Sequence, residues 1–346
     1  MAAWLLALLL SSPAAFGQAA DDAVTVTALR DPVDKSYRRM VDGMDLFEMR
    51  RRELAPGATL RFKLLPRHRR TNMENVTLAI VGDSFETPLA LAPDNTFTLP
   101  RDAKALKEDA SVRPNRRSGT MTWRAEIRSP GVPAGARRLG DLRLECEVGM
   151  QARLISNGSP GLFGSLVDAM IGGPSYCHEE APRYLFFADR PLWQVTLAHG
   201  KRREALSVDR MYASAAVDPD WKAKLPYCDC EMLLDRTYFM PLGDASWPHD
   251  TLVTFEYMDE PPAPSAKPMT RAGVQARFGP PARIAFDNGH AVWVYREPLE
   301  KEQASRAELV LLFAPTGEVA KARLRRINRP DGRAVSPLPE ESARVP

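Results

Sequence analysis

The sequence carries none of the short signatures that position catalytic groups. It has no Gly-x-Ser-x-Gly elbow, no His-Glu-x-x-His pair, no glycine-rich phosphate loop ahead of a helix and no Ser-x-x-Lys set. Its five histidines, His68, His178, His199, His249 and His290, show no spacing that would bring two of them to one metal. Carboxylates are plentiful, but none stands out as a catalytic pair. These absences imply no cofactor and argue that the protein is not an enzyme. Charge of one sign is also scarce, with a net +3 over 346 residues. Arg outnumbers Lys by roughly four to one, so the basic isoelectric point reflects arginine usage and gives no nucleic-acid footprint.

Long hydrophobic runs are missing beyond the first residues. Met1 to Gly17 contains one, Trp4 to Leu10, followed by Ser11, Ser12, Pro13 and small residues, the order of a secretory signal. The run is about half of the roughly 20 residues that span a bilayer. Residues 1–19 are therefore read as a signal peptide, with the mature chain starting near Gln18 or Ala20. One detail departs from the usual leaders, in that no Lys or Arg precedes the run, and with no Cys at the candidate cleavage site a lipid anchor is not expected. The expected location is the periplasm, soluble or peripherally attached to a membrane.

What the chain does have is proline, thirty of them, which break helices and favour short strands joined by ordered loops. The expected class is mainly β. Residues 23–54 form an N-terminal extension and one amphipathic helix, with Val33, Tyr37, Met40, Val41, Met44, Phe47 and Leu54 at near-helical spacing and Asp31–Pro32 as its cap. The arginines near its C-terminus suit the helix dipole, and binding to anionic lipid is the rival reading. Residues 55–156 show short runs (Leu60 to Leu64, Val76 to Val81, Pro88 to Leu91, Thr96 to Leu99, Met121 to Ile127, Leu142 to Leu154), expected to be the strands of an antiparallel β-sandwich. Residues 157–259 form a second β-rich region, with strands expected at Tyr184 to Ala188, Trp193 to His199, Glu231 to Phe239 and Thr251 to Tyr257. The four letters Val76-Thr77-Leu78-Ala79 recur at Val195-Thr196-Leu197-Ala198, which leaves a duplication open. Residues 260–268 form a Pro-rich linker, residues 269–328 a C-terminal module, and 329–346 a Pro-rich charged tail expected to be disordered.

The four cysteines of an exported chain predict two disulfides. Cys228 and Cys230 would share one face of a strand, so Cys146 and Cys177 are expected to pair with the two of them. The rival is a metal site from Cys177, His178, Cys228 and Cys230, at a spacing that matches no standard zinc motif. The glycine-rich stretch from Gly158 to Gly173 places Leu162, Phe163, Leu166, Val167, Met170 and Ile171 on one helical face. Leu162 and Phe163 are thus candidates to touch a partner or a membrane surface, with a lid over the sandwich as the bland alternative.

The C-terminal module runs Gly273 to Pro281, Asp287-Asn288-Gly289-His290, Val292-Trp293-Val294-Tyr295, Leu311-Leu312-Phe313 and Gly317-Glu318-Val319. This order resembles the BamE-like (SmpA/OmlA) domain of outer-membrane assembly factors, a helix ending in Gly-x-Pro followed by an antiparallel meander. The resemblance implies a small α+β domain after the sandwich regions. Thr270 should cap the helix, Gly279 should end it, and Asn288–Gly289 should form a two-residue type I′ turn. Trp293 and Tyr295, two apart, should share the face that covers the helix, as core or as partner contacts. Here the module departs from the family by lacking a second helix and a lipid anchor. Residues Val76 to Ala79 and Asp94 to Pro100 also resemble the prealbumin-type module of carboxypeptidase regulatory regions, which implies a sandwich without catalytic residues. The expected function is a non-enzymatic envelope protein of interaction or assembly, linked to outer-membrane machinery. The alternative is a periplasmic protein that binds a small ligand or metal between its sandwiches, near the cysteines.

Overall fold

The computed structural model describes residues 34–117, 119–154, 173–179, 184–216, 233–260, 269–297 and 305–328. The signal segment, Leu162, Phe163, Cys228, Cys230, the proline-rich stretch 261–268 and the tail lie outside the described residues. The fold is mainly β, and every strand pairing in it is antiparallel.

In the first part, β1 (Lys35–Ser36) leads into α1 (Tyr37–Leu54). Ser36 is the cap: its hydroxyl accepts from the Arg39 N–H, so the helix begins several residues after the expected Asp31. Tyr37, Met40, Val41, Phe47 and Leu54 form its buried stripe. There follow β2 (Thr59–Pro66), β3 (Leu78–Val81), β4 (Glu86–Leu89), β5 (Thr96–Phe97), α2 (Ala103–Lys107), β6 (Ser111–Pro114) and β7 (Met121–Arg128). They build two sheets, ordered β1-β6-β3-β4 and β5-β2-β7. Ile80 and Val112 of one sheet meet Phe62, Phe97 and Trp123 of the other in a core closed by α1.

The second part comprises β8 (Ala136–Arg138), α3 (Leu139–Gln151), β9 (Leu185–Phe187), β10 (Leu192–His199), β11 (Arg202–Ala205), β12 (Thr237–Phe239) and β13 (Leu252–Tyr257). Its sheets are β8-β13-β10-β11 and β9-β12. This is the connectivity of the first part again. In each part the strand before the helix pairs with the sixth strand, which pairs with the third, the first of a hairpin, while the strand after the helix pairs with the fifth; β7, which adds to β2, has no counterpart. Even the helix entries correspond: the Tyr37 N–H donates to Ala110 O at 2.9 Å, and the Leu139 N–H donates to Thr251 O at 2.9 Å. The two parts are structural repeats. The shared tetrapeptide is not the trace of it, because Val112 pairs with Ile80 and its equivalent Val253 pairs with Leu197. Leu78 therefore corresponds to Val195, not to Leu197, so the four letters match out of register.

Helix α3 corrects the expected strand at Leu142 to Leu154. Leu142, Leu144, Cys146, Val148 and Met150 alternate with polar residues, the pattern of a half-buried strand. In the helix that alternation resolves into two faces of spacing four. Leu142, Cys146 and Met150 enter the core of the second repeat, whereas Leu144, Val148 and Ala152 enter that of the first. The polar residues between them are buried and bonded. Arg143 donates to the carbonyls of Leu242, Trp247 and Asp244 at 2.8 to 3.0 Å, and Glu147 takes Arg50 at 3.1 Å. Gly43 lets α1 lie against α3, since a Cβ there would stand 2.9 Å from the Ala152 Cβ.

The last part is α4 (Arg271–Phe278) followed by a meander, β14 (Ala282–Ala285), β15 (Ala291–Arg296), β16 (Ser305–Phe313) and β17 (Val319–Asn328). Thr270 caps α4 by accepting from the Gly273 N–H, and Gly279 ends it at φ 76°, a conformation that glycine adopts without strain. The turn at Asn288–Gly289 differs from the type I′ expectation. Gly289 has φ 86° but Asn288 does not share the positive φ, and the Gly289 N–H donates to Phe286 O, giving a three-residue loop closed by a left-handed glycine. The sheet is covered on both sides. Val274 of α4 meets Trp293, Leu311 and Phe313 on the outer face, and Ile284, Val292, Val294, Val310 and Leu312 join the core of the second repeat.

Candidate functional site: a cleft between the repeats

A cleft of about 150 Å³ opens where β2 and β7 of the first repeat face β9, β12 and β13 of the second. The alternation of β7 decides what lines it. Trp123, Ala125 and Ile127 enter the core of the first repeat, so Arg124, Glu126 and Arg128 point the other way, towards the second repeat. Lys63 lies directly opposite Arg124 in the β2–β7 register.

The facing wall is aromatic. Tyr184 and Phe186 have ring centroids 4.8 Å apart, Phe186 stacks on Tyr238 at 5.5 Å, and Tyr238 meets Phe255 edge-on at 5.5 Å. Burial pushes the Tyr238 hydroxyl pKa up, so it stays protonated. The Arg124 guanidinium lies 4.3 Å from the Phe187 ring centroid and ties the two walls together.

At the mouth, Lys63 Nζ reaches Asp189 across the cleft at 2.8 Å and Glu126 on its own sheet at 3.4 Å. Burial works against the Lys63 charge, but the two carboxylates hold its pKa above the ordinary lysine value. Asp189 moves the opposite way: Lys63 outweighs burial and holds its pKa below the ordinary 3.8. A depressed carboxyl pKa contributes stability above the unfolded value and loses it as pH falls through the folded one. Acidification from neutral to mildly acid pH should therefore leave this clasp closed. An NMR titration of the Asp189 carboxyl should show a midpoint below 3.8; a midpoint above that value would mean that the clasp does not form.

At the base, Arg137 of β8 donates to Ile127 O at 2.8 Å and to the Glu145 carboxylate, which also accepts from the Ile127 N–H at 2.7 Å. Burial pushes the Glu145 pKa up, and Arg137 and the Ile127 N–H only partly pull it back. The pull of Glu145 in turn outweighs burial at Arg137, whose pKa is raised. Glu145 sits next to Cys146, so the base of the cleft is anchored on the disulfide-bearing turn of α3.

The expected disulfide pairing is corrected. Cys146 is joined to Cys177, with Cα atoms 5.9 Å apart, and neither is bonded to Cys228 or Cys230. The geometry follows from α3, which turns Cys146 inward against the short helical turn Pro174–His178. The bond also removes the Cys177 thiolate from the metal set. His178, half-exposed, instead approaches Glu147 at 3.1 Å. No group of three or more His, Cys, Asp or Glu side chains among the described residues could hold a metal ion. Trp293 is only 4 % exposed, packed 4.5 Å from the Phe313 ring and 4.5 Å from the Arg283 guanidinium. Tyr295 lies half-buried on the same face, its hydroxyl donating to Gly279 O at 3.2 Å.

None of the cleft residues was singled out from sequence. Arg124, Glu126 and Arg128 alternate along one face of a strand, and only a second repeat laid over that face makes them a lining. Their one local signal is a three-charge alternation in a strand whose other face is fully apolar. Comparison with family models, curated proteins and solved structures finds no match for this chain.

Proposed function

We propose that this is a non-catalytic binding protein of the cell envelope, whose ligand sits in the cleft between the two repeats. The carrying observation is the cleft itself, an aromatic wall facing a charged one at an interface of repeated units, where ligand sites are common. Its charged groups are tied to one another in ion pairs, an arrangement suited to holding a ligand more than to transferring a proton. The signal-like N-terminus and the Cys146–Cys177 bond support an oxidising compartment outside the cytoplasm.

Filling the cleft tests this reading. Titration of small-molecule envelope extract into the mature protein should give saturable binding by calorimetry. The variant Ala188→Phe, shown folded by circular dichroism, should lose it. Equal binding by both proteins would place the ligand elsewhere and end this reading.

A second reading keeps the role in outer-membrane assembly implied by the BamE-like resemblance. It is favoured by one observation: Leu324 is 61 % exposed on the outer face of the C-terminal sheet, and Phe278 is 39 % exposed at the end of α4. Removing the module would strip the core of the second repeat, so the test must be a point change. Leu324→Asp should abolish crosslinks to outer-membrane insertase subunits in intact cells; undiminished crosslinks would exclude this face.

A further inference from the structure

We propose that the cleft takes a single neutral polyhydroxylated ring, one sugar residue, an inference that rests on the cleft being the binding site. Size sets the first bound. The cleft holds about 150 Å³, the volume that accepts one benzene-sized ring and about half the lower limit for drug-sized sites. The walls set the second. Phe255 is only partly buried and offers ring surface to an apolar C–H face, while Tyr257 beside it carries the Arg190 guanidinium 4.3 Å from its centroid; the opposite wall bears Lys63, Arg124, Glu126 and Arg128 beside Leu65 and Ala125.

Charge then decides the polar chemistry. Lys63, Arg124, Arg128 and Arg137 line the cleft together with Glu126, Glu145 and Asp189. A ring bearing a carboxylate would meet Glu126 and Asp189, and a ring bearing an ammonium would meet Lys63 and Arg128. A hydroxyl suits both, because it donates one hydrogen bond and accepts others. The mouth has capacity of both kinds. Lys63 has three donors and spends one of them on Asp189, with Glu126 an ion-pair neighbour at 3.4 Å, while Asp189 is 60 % exposed with lone pairs to spare. The clasp can thus admit hydroxyls by sharing its bonds without being broken.

The test is NMR titration of the mature protein with the methyl glycosides of glucose, galactose and mannose, alongside glucuronate, glucosamine, benzoate and benzamidine. At least one neutral glycoside should shift the Phe187, Tyr238 and Phe255 signals, with a Kd on the order of millimolar for a ligand of this size. Glucuronate and glucosamine should bind at least tenfold more weakly. Phe255→Ala, checked for folding by circular dichroism, should weaken the glycoside by tenfold or more, while Leu324→Asp should leave it unchanged. Binding of benzoate or benzamidine in the cleft without any neutral glycoside would overturn the sugar assignment and leave the cleft as a site. Failure of the whole panel would also overturn the sugar assignment. The cleft reading falls separately, if the Ala188→Phe variant still binds envelope extract.

Discussion

Replacing Glu308 by alanine should destabilise the protein by about 3–5 kcal/mol, the range for removing one partner of a buried charge network. Glu308 is fully buried, and its two oxygens take Arg296 at 2.7 Å and Arg325 at 2.6 Å, each Arg only 16 % exposed. Arg296 also contacts Asp209 between β11 and β12, so the carboxylate sits in the seam that joins the C-terminal sheet to the second repeat. Arg323 lies in the same seam, donating to Gln194 at 2.7 Å. Its pKa is brought down to about 10, by burial first and then by the charge of Arg325. Removing Glu308 would leave three guanidinium groups together with only Asp209, on Arg296, to offset them. Urea unfolding should show a lower midpoint at unchanged slope, and Glu308→Gln should fall between the two proteins. A loss under about 1 kcal/mol, as for an exposed ion pair, would mean that water reaches the seam and the sheet is loosely docked.

Loss of the Cys146–Cys177 bond, by reduction or by a double alanine change, should cost about 3.5 kcal/mol, the loop-closure entropy for the 31-residue separation. The bond holds α3 to the turn Pro174–His178, and α3 carries groups of both cores and the base of the cleft. Its loss should therefore loosen the cleft before the first repeat melts, since that repeat also has α1 to close it. Hydrogen exchange should rise first over 184–188 and 237–239 and last over 59–66. Uniform acceleration across both repeats would show that the disulfide acts only on overall stability.

The sequence made local structure readable where one face is buried and the other is not. Helix α1 has that property, and its hydrophobic period marks it; the strands at Met121 to Arg128 and Ala291 to Arg296 are covered on both faces and are marked instead by their β-branched and aromatic residues. Thr270 and Gly279 are readable too, since their side chain and backbone freedom fix the ends of α4. Helix α3 was not readable, because a helix buried against two cores has no polar face, and its two stripes overlap into a false strand period. The repeat is hidden for a related reason: it is preserved in strand order and helix entry, which a search for shared letters does not see. The cleft is illegible in principle, since Lys63, Arg137, Asp189 and Tyr238 come from four separate segments that meet only after the repeats close on each other.

The most direct measurement of the central claim is hydrogen exchange on the protein, with and without saturating envelope extract. Protection is predicted over 122–128, 184–189, 237–239 and 252–257, the two walls of the cleft, with no change over 305–313 or 319–328. Protection confined to the C-terminal sheet and α4 would contradict the account and make the outer face the binding surface.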